Sequence, residues 1–381
     1  MKIATIDQFF PMPRVRLVKV TTDTGLVGWG ETTLEGKARS TRVAVEELSD
    51  YLIGKDPLRI EHHWQHIYRS AFFRGGNILM SALSGLDQAL WDIAGKHLGV
   101  PVHQLLGGAV RDRIRVYAHW GIGSLTDEGK AAARERLDFL QKSGGYDAYK
   151  SGPGGKWRAH EPPAVIDDFV ERAYLMREWV GDEVELAFDF HGKMTPALAV
   201  EICQELKGMR PMFVEEPVPQ ENVEALKQVT DKVTIPIATG ERLLTRWAFR
   251  EILEKHAAAY IQPDTSHVGG ISELKKVANM AEVYYVHIMP HCAIGPVAFS
   301  ASLQVDASVP NFLVQEQIDQ GLGGGLLKED WQVVEGHIEL PDKPGLGIEL
   351  DEAAAQRDCG EYAEELGGEF YYESDGSVAD W

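Results

Sequence analysis

Apolar and polar positions follow two different rhythms along this chain, and the change falls near residue 115. Before it, Arg16-Leu17-Val18-Lys19-Val20 has β character and Thr21-Thr22-Asp23-Thr24-Gly25 supplies a turn. Leu26-Val27-Gly28-Trp29-Gly30-Glu31 then returns, which predicts a hairpin. Leu79, Leu83, Leu86, Leu90 and Ile93 recur at spacings of three and four, the apolar face of one helix that Gly99 and Pro101 end. Residues 1–113 therefore predict an α+β unit.

After residue 115, short apolar runs alternate with amphipathic helical stretches. The runs are Val116–Trp120, Ala148–Ser151, Glu185–Phe190, Met212–Glu216, Ile235–Thr239, Ala259–Pro263, Val286–Met289 and Phe312–Gln315. The segments Val165–Val180 and Leu198–Leu206 show the helical spacing best. Eight runs separated by helices predict a parallel (β/α)₈ barrel over residues 114–325. Residues 326–381 are acidic and leave that rhythm, so they are expected to pack back on the N-terminal unit.

Composition narrows the class of protein. The 381 residues are 44% hydrophobic and 25% charged, values of an ordinary soluble globular chain. Lys and Arg number 38 against 58 Asp and Glu, a net charge of −20 that argues against nucleic acid as partner. No apolar run reaches the ~20 residues of a membrane span, and the start of the chain lacks a signal-peptide core. The cysteines Cys203, Cys292 and Cys359 form no CxxC, so a reducing cytoplasm is expected, with no disulfide frame.

Polar residues stand at the ends of six successive runs: Asp189, Glu215, Glu241, Asp264, His291 and Glu316. They lie 23 to 27 residues apart, one βα unit per step, so all six should face the same barrel mouth. Any one of them alone reads as a helix cap or solvated loop residue. Together, acidic groups converging on one mouth repel unless a cation sits among them. Oxygen ligands without clustered cysteine suit a hard ion, so one Mg²⁺ per subunit on Asp189, Glu215 and Glu241 is expected. His191 lies two residues past Asp189, on the same face of an extended strand. His291 and Asp264 end adjacent strands, and a hydrogen bond between them would make His291 a general base. His287, inside its run, reads as a packing residue. A metal flanked by two histidines can support removal of a proton next to a carboxylate, with His191 pushing out a β-hydroxyl as water. Pro11-Met12-Pro13-Arg14-Val15-Arg16 is a candidate lid over an anionic substrate, and Arg74 has the same standing.

These pieces resemble the enolase superfamily, in its mandelate-racemase-like branch. The resemblance rests on Phe188-Asp189-Phe190-His191-Gly192, Val214-Glu215-Glu216-Pro217, Thr239-Gly240-Glu241-Arg242, Gln262-Pro263-Asp264 and Met289-Pro290-His291-Cys292. Lys or His bases with Mg²⁺ are a known pattern of that superfamily. Within the branch the chain looks most like the D-galactonate dehydratases. Tyr51–Pro57, Phe73-Arg74-Gly75-Gly76 and the ending Asp375-Gly376-Ser377-Val378 point there. The resemblance implies an α+β capping domain over a modified (β/α)₈ TIM-type barrel, in a homo-oligomer as large as an octamer. It implies the Mg²⁺ ligands named above, His291 with Asp264 as base and His191 as acid. Glu316 and Lys150 would contact a small sugar-acid substrate, and the product would be a 2-keto-3-deoxy acid.

Departures fall around the mouth. Many relatives carry Lys-x-Lys on the second barrel strand, where this chain has Lys150-Ser151-Gly152. Glycine there disfavours a racemase, which needs bases on both faces, and replaces the Asn of the galactonate enzymes. The Gly152–Arg158 loop, the run Gly321-Leu322-Gly323-Gly324-Gly325 and His119-Trp120 also differ. Other aldonates (gluconate, mannonate, arabinonate) and aldarates therefore stand as alternative substrates. An epimerase or lactone cycloisomerase shares the metal site. A metallohydrolase is disfavoured by the lack of an early His-x-His. A binding protein is disfavoured by the intact set of polar residues.

Overall fold

The computed structural model describes residues 1–292, 295–317, 322–357, 359, 371–372 and 374–380. The N-terminal unit begins with three strands, β1 (Ile3–Met12), β2 (Val15–Thr22) and β3 (Val27–Glu31), paired antiparallel in that order. Helices α1 (Ala38–Leu52), α2 (Ile60–Ser70), α3 (Asn77–Leu98) and the short α4 (Val102–Leu105) follow. The apolar spacing read from Leu79 to Ile93 lies within α3, which Gly99 ends in the left-handed conformation. This helix is buried almost all round because the β-sheet covers one side and the barrel the other. Its close seat on β3 requires glycine: a Cβ on Gly30 would lie 1.8 Å from the Gly85 carbonyl oxygen.

The second unit alternates strictly. In order it runs β4 (Arg113–His119), α5 (Asp127–Gly144), β5 (Ala148–Ser151), α6 (Pro163–Val180) and β6 (Glu185–Asp189). Then come α7 (Pro196–Leu206), β7 (Phe213–Glu215), α8 (Val223–Thr230), β8 (Ile237–Thr239) and α9 (Thr245–Glu254). The series ends with β9 (Tyr260–Ile261), α10 (Gly270–Val283), β10 (His287–Ile288), α11 (Pro296–Ser308) and β11 (Gln315–Gln317). These strands pair in parallel in the order β10-β9-β8-β7-β6-β5-β4-β11, and a bridge from Ile288 to Phe312 joins the two ends. Each of the eight predicted runs thus overlaps a strand of one closed barrel, the last of them only at Gln315. Seven helices separate them. Among the described residues no barrel helix follows β11; instead β12 (His337–Glu339) pairs antiparallel with the first half of β4.

The strand period of two sorts each barrel strand into two faces. One face packs on the helices, as with Val116, Leu186, Phe188, Val214 and Ile261. The other fills the barrel with a fully buried apolar plug of Tyr117, Ala148, Ala187, Phe213, Ala238, Met289 and Val314. The residues two positions further along form the next layer toward the strands' C-terminal ends. There stand His119, Lys150, Asp189, Glu215, His291 and Glu316.

The N-terminal unit is clamped to the barrel through α3. Ser272, at the start of α10, donates its N–H (3.0 Å) and Oγ (2.5 Å) to Asp87. Trp91 Nε1 donates to Ser272 Oγ (2.8 Å), and Trp64 Nε1 to the Gly269 carbonyl (2.8 Å). At the end of β3, Glu31 accepts the Ala298 N–H of α11 (3.0 Å). The C-terminal stretch first returns to this unit: Lys19 pairs with Glu352 in the last helix, α12 (Glu352–Ala355), and Cys359 N–H bonds the Phe10 carbonyl. Its final described residues instead reach the barrel. Lys156 donates to the Tyr371 carbonyl (2.5 Å), Arg158 to Ser374 Oγ (2.5 Å) and Tyr372 to the Trp157 carbonyl (2.6 Å). The Gly152–Arg158 loop is therefore strapped by the tail. Gly321 of the glycine-rich run lies outside the described residues.

Candidate active site

Asp189 and Glu215 are direct neighbours in the β6–β7 register, because each ends its strand. Glu241 follows β8 by two residues, past Gly240. Oxygens of all three carboxylates lie within 4.8 Å of one another, and this is the group of possible metal ligands found among the described residues. Asp189 and Glu215 are buried and Glu241 is partly so. Glu215 Oε1 is buried with no hydrogen-bond partner. Three close carboxylates with an unmatched buried oxygen fit a hard divalent cation.

Lys150, at the floor of the mouth, approaches Glu316 (2.7 Å), Glu215 (2.8 Å) and Asp189 (3.4 Å). Burial opposes its charge, but Glu215, Glu316 and Asp189 outweigh this and hold its pKa well above the ordinary lysine value. Burial likewise opposes ionisation of Asp189, yet Lys150 and His191 bring its pKa down to about 2. Glu215 moves the other way, well above the carboxylate range, through burial and the Asp189 charge. Burial and the neighbouring Asp189 charge thus favour the protonated form of Glu215, against the pull of Lys150.

The two histidines stand on opposite sides of this cluster. His291 follows β10 and His191 follows β6, four strands apart in an eight-stranded barrel. His291 Nδ1 donates to Asp264 Oδ2 at 2.6 Å, and its Nε2 lies 3.2 Å from Glu241 and 3.7 Å from Glu316. Burial disfavours the imidazolium, but Glu316, Glu241 and the Asp264 bond raise its pKa well above the usual histidine value. Asp264 is itself fixed by the Ser266 N–H (2.5 Å). His191 is not on the extended strand that its spacing suggested. The strand stops at Asp189, and His191 adopts the left-handed conformation with φ of 50°. Its backbone N–H donates to Asp189 Oδ1 (2.8 Å), and this tight turn swings its Nε2 to 2.9 Å from Asp189 Oδ2. The turn delivers the ring to the mouth that the strand period had pointed to.

Glu316 accepts four approaches: Lys150 and His119 (2.6 Å) at Oε1, the Cys292 N–H (3.1 Å) and His291 at Oε2. Burial would raise its pKa, but Lys150, His291 and His119 hold it well below the carboxylate range. Arg14 and Arg74 are not part of this assembly. Pro13 and Arg14 form the tight turn between β1 and β2 rather than a lid loop, and Arg14 pairs with Glu35 (3.1 Å). Arg74 is exposed in the α2–α3 connection. His287 is exposed at the start of β10 and does not pack in the core. The reading of spacing alone did not place His119 in the cluster, although it stands two residues beyond the plug residue Tyr117, as Lys150 does beyond Ala148.

The comparisons with known proteins point one way. Residues 132–354 match the family described as enolase C-terminal domain-like. Residues 11–107 match the mandelate racemase / muconate lactonizing enzyme N-terminal domain. This chain belongs to the enolase superfamily. Among its superfamily relatives, the D-galactonate dehydratase of Xanthomonas euvesicatoria is 41% identical over the full length of both chains. That of Ralstonia pickettii is 42% identical over the same extent. The crystal structure of an enolase from Agrobacterium radiobacter, with Na and L-malate bound and a provisional galactarate dehydratase name, is also similar. It superposes with a TM-score of 0.90 at 32% identity, over 100% of both chains. No helix among the described residues is long and apolar enough to cross a membrane.

Proposed function

We propose that this superfamily member is a Mg²⁺-dependent sugar-acid dehydratase, with D-galactonate the first substrate to test. One observation carries the reading: two histidines face each other across a carboxylate cluster, one of them tied to a buried aspartate. The relatives named D-galactonate dehydratase support the reaction class.

Asp189, Glu215 and Glu241 would hold the metal. When bound, it stabilises the negative charge that grows on the substrate carboxylate as the α-proton leaves. Asp264 accepts the Nδ1–H of His291, so that in the ring's neutral form the lone pair is on Nε2, the nitrogen in the mouth. His291 Nε2 takes the α-proton. The β C–O bond breaks, and His191 delivers its proton to the departing hydroxide, so that one water leaves. The resulting enol tautomerises to the 2-keto-3-deoxy acid. Lys150 offers a positive charge at the floor for a substrate carboxylate, and ionised Glu316 offers an acceptor to a substrate hydroxyl.

The second barrel strand favours elimination over epimerisation. At Gly152, where a second lysine would supply a base for the opposite face, a Cβ would lie 2.5 Å from the Asp189 carbonyl oxygen. A side chain there would need this backbone contact to shift. The test is a screen of the purified chain with Mg²⁺ against aldonic and aldaric acids, reading 2-keto-3-deoxy product. Product from D-galactonate that disappears with EDTA and in His291→Ala supports the reading. Product from another acid moves the substrate, and an isomer of unchanged formula replaces the dehydratase with an epimerase or cycloisomerase. The homo-oligomeric assembly that goes with this reading is tested by sedimentation of the same preparation.

A further inference from the structure

We propose that His119 selects which sugar acid this chain accepts: its Nε2–H fixes Glu316, and its Nδ1 accepts a hydrogen bond from one substrate hydroxyl. The proposal rests on the sugar-acid reading of the site. His119 ends β4, between Lys150 on β5 and Glu316 on β11. It is two strands from β6 and two from β10, midway between the proposed acid and base. A substrate group that reaches it is therefore not the carbon that loses the proton.

Its exposure sets it apart from its partners. The side chains of Glu316 and Lys150 are 1% and 3% exposed, whereas that of His119 is 47% exposed at the same end of the barrel. The ring nonetheless has fixed partners: Nε2 lies 2.6 Å from Glu316 Oε1, and Tyr117 in the plug stacks against it at 6.2 Å and 16°. A carboxylate can only accept, so the shared hydrogen sits on Nε2. A ring with its one proton on Nε2 has its lone pair on Nδ1, for which the described residues supply no hydrogen-bond donor. A hydroxyl completes that nitrogen; a carboxylate or carbonyl does not. Aldonates of one chain length differ only in how their hydroxyls are arranged. A directional acceptor at a fixed point of the mouth is what distinguishes them.

Titration calorimetry on the Mg²⁺-loaded His291→Ala variant tests this, because that variant binds without turnover. D-galactonate, D-gluconate and D-mannonate serve as probes. One acid is expected to bind roughly tenfold or more tighter than the others, and adding His119→Phe should bring all three within about threefold. His119→Gln, which keeps a donor and an acceptor, should preserve most of the discrimination. Circular dichroism confirms that each variant is folded. An undiminished ratio in His119→Phe overturns the proposal, as does a uniform loss of affinity for all three acids or no discrimination in His291→Ala. A wild-type protein that discriminates here but forms no keto acid overturns the dehydratase reading alone, and the effect of His119 is still read from the binding ratios.

Discussion

The barrel mouth and the seam between the two units both bury carboxyl groups, but they treat them in opposite ways. At the seam every such group meets donors. Asp87 takes two from Ser272, Glu31 takes Ala298 N–H and the Thr33 hydroxyl, and Asp92 takes Trp29 N–H, Leu346 N–H and Lys96. At the mouth Glu215 leaves one oxygen without any donor, beside two further carboxylates. Burial of an acid therefore says little about function. Saturation by donors marks a structural acid, and a shortage of donors marks one that awaits a ligand.

Substitutions on the two sides should separate cleanly. The largest effect is expected from Glu215→Gln. Divalent-ion affinity and turnover should fall at least about 100-fold, since even outer-shell changes cost 10–100-fold. Thermal stability should hold or rise, because a crowded buried carboxylate has been neutralised. A substantial loss of stability would make Glu215 structural and end the contrast. His291→Ala should lower turnover by about 10²–10⁴-fold with metal affinity unchanged, measured as keto-acid formation and by titration with Mg²⁺.

Asp87→Ala should do the reverse. It strands Ser272 and the start of α10, and should cost about 2 kcal/mol in urea denaturation while metal affinity stays at the wild-type value. The Asp87 pKa is raised to about 7, chiefly by burial and against its Ser272 bonds. A folded-state pKa above the unfolded one gives stability that is full below the ordinary carboxyl range. That stability is lost as pH rises through about 7. Relative to Asp87→Asn, wild type should therefore lose stability between pH ~4 and ~8. A gain over that window would reverse the assigned shift.

The smallest expected effect comes from Asp306 on α11, which obeys neither rule. It is fully buried, away from the mouth carboxylates, and neither side-chain oxygen has a hydrogen-bond partner. Burial raises its pKa well above the usual range, with nearby Arg111 opposing. Asp306→Asn should leave stability within about 0.5 kcal/mol at acid pH and stabilise the protein progressively at alkaline pH, read from urea midpoints.

Much of this was readable from residues because a barrel repeats. One polar residue per βα unit, at near-constant intervals, pointed to Asp189, Glu215, Glu241, Asp264, His291 and Glu316 as one constellation, and the structure brings them together at one end. What escaped was whatever depends on strand ends rather than on spacing. His191 reaches the mouth through a left-handed turn, which periodicity does not encode. His119 sits one plug layer above Tyr117, as Lys150 does above Ala148, a relation visible only once inward and outward faces are assigned. Arg14 differs again: its segment read as a candidate lid, and pairing of Met12 with Val15 makes it a tight hairpin turn.

The hydrogen bond from His119 to Glu316 joins the first and last strands of the barrel, 197 residues apart in sequence. On a ribosome, β4 emerges long before β11. Until β11 arrives, His119 lacks the carboxylate that fixes it, Lys150 lacks one of its three, and the barrel lacks its closing strand. Every earlier piece of the site is made before the strand that closes it, so a chain ending before Glu316 would lack both the closure of the barrel and one member of the cluster.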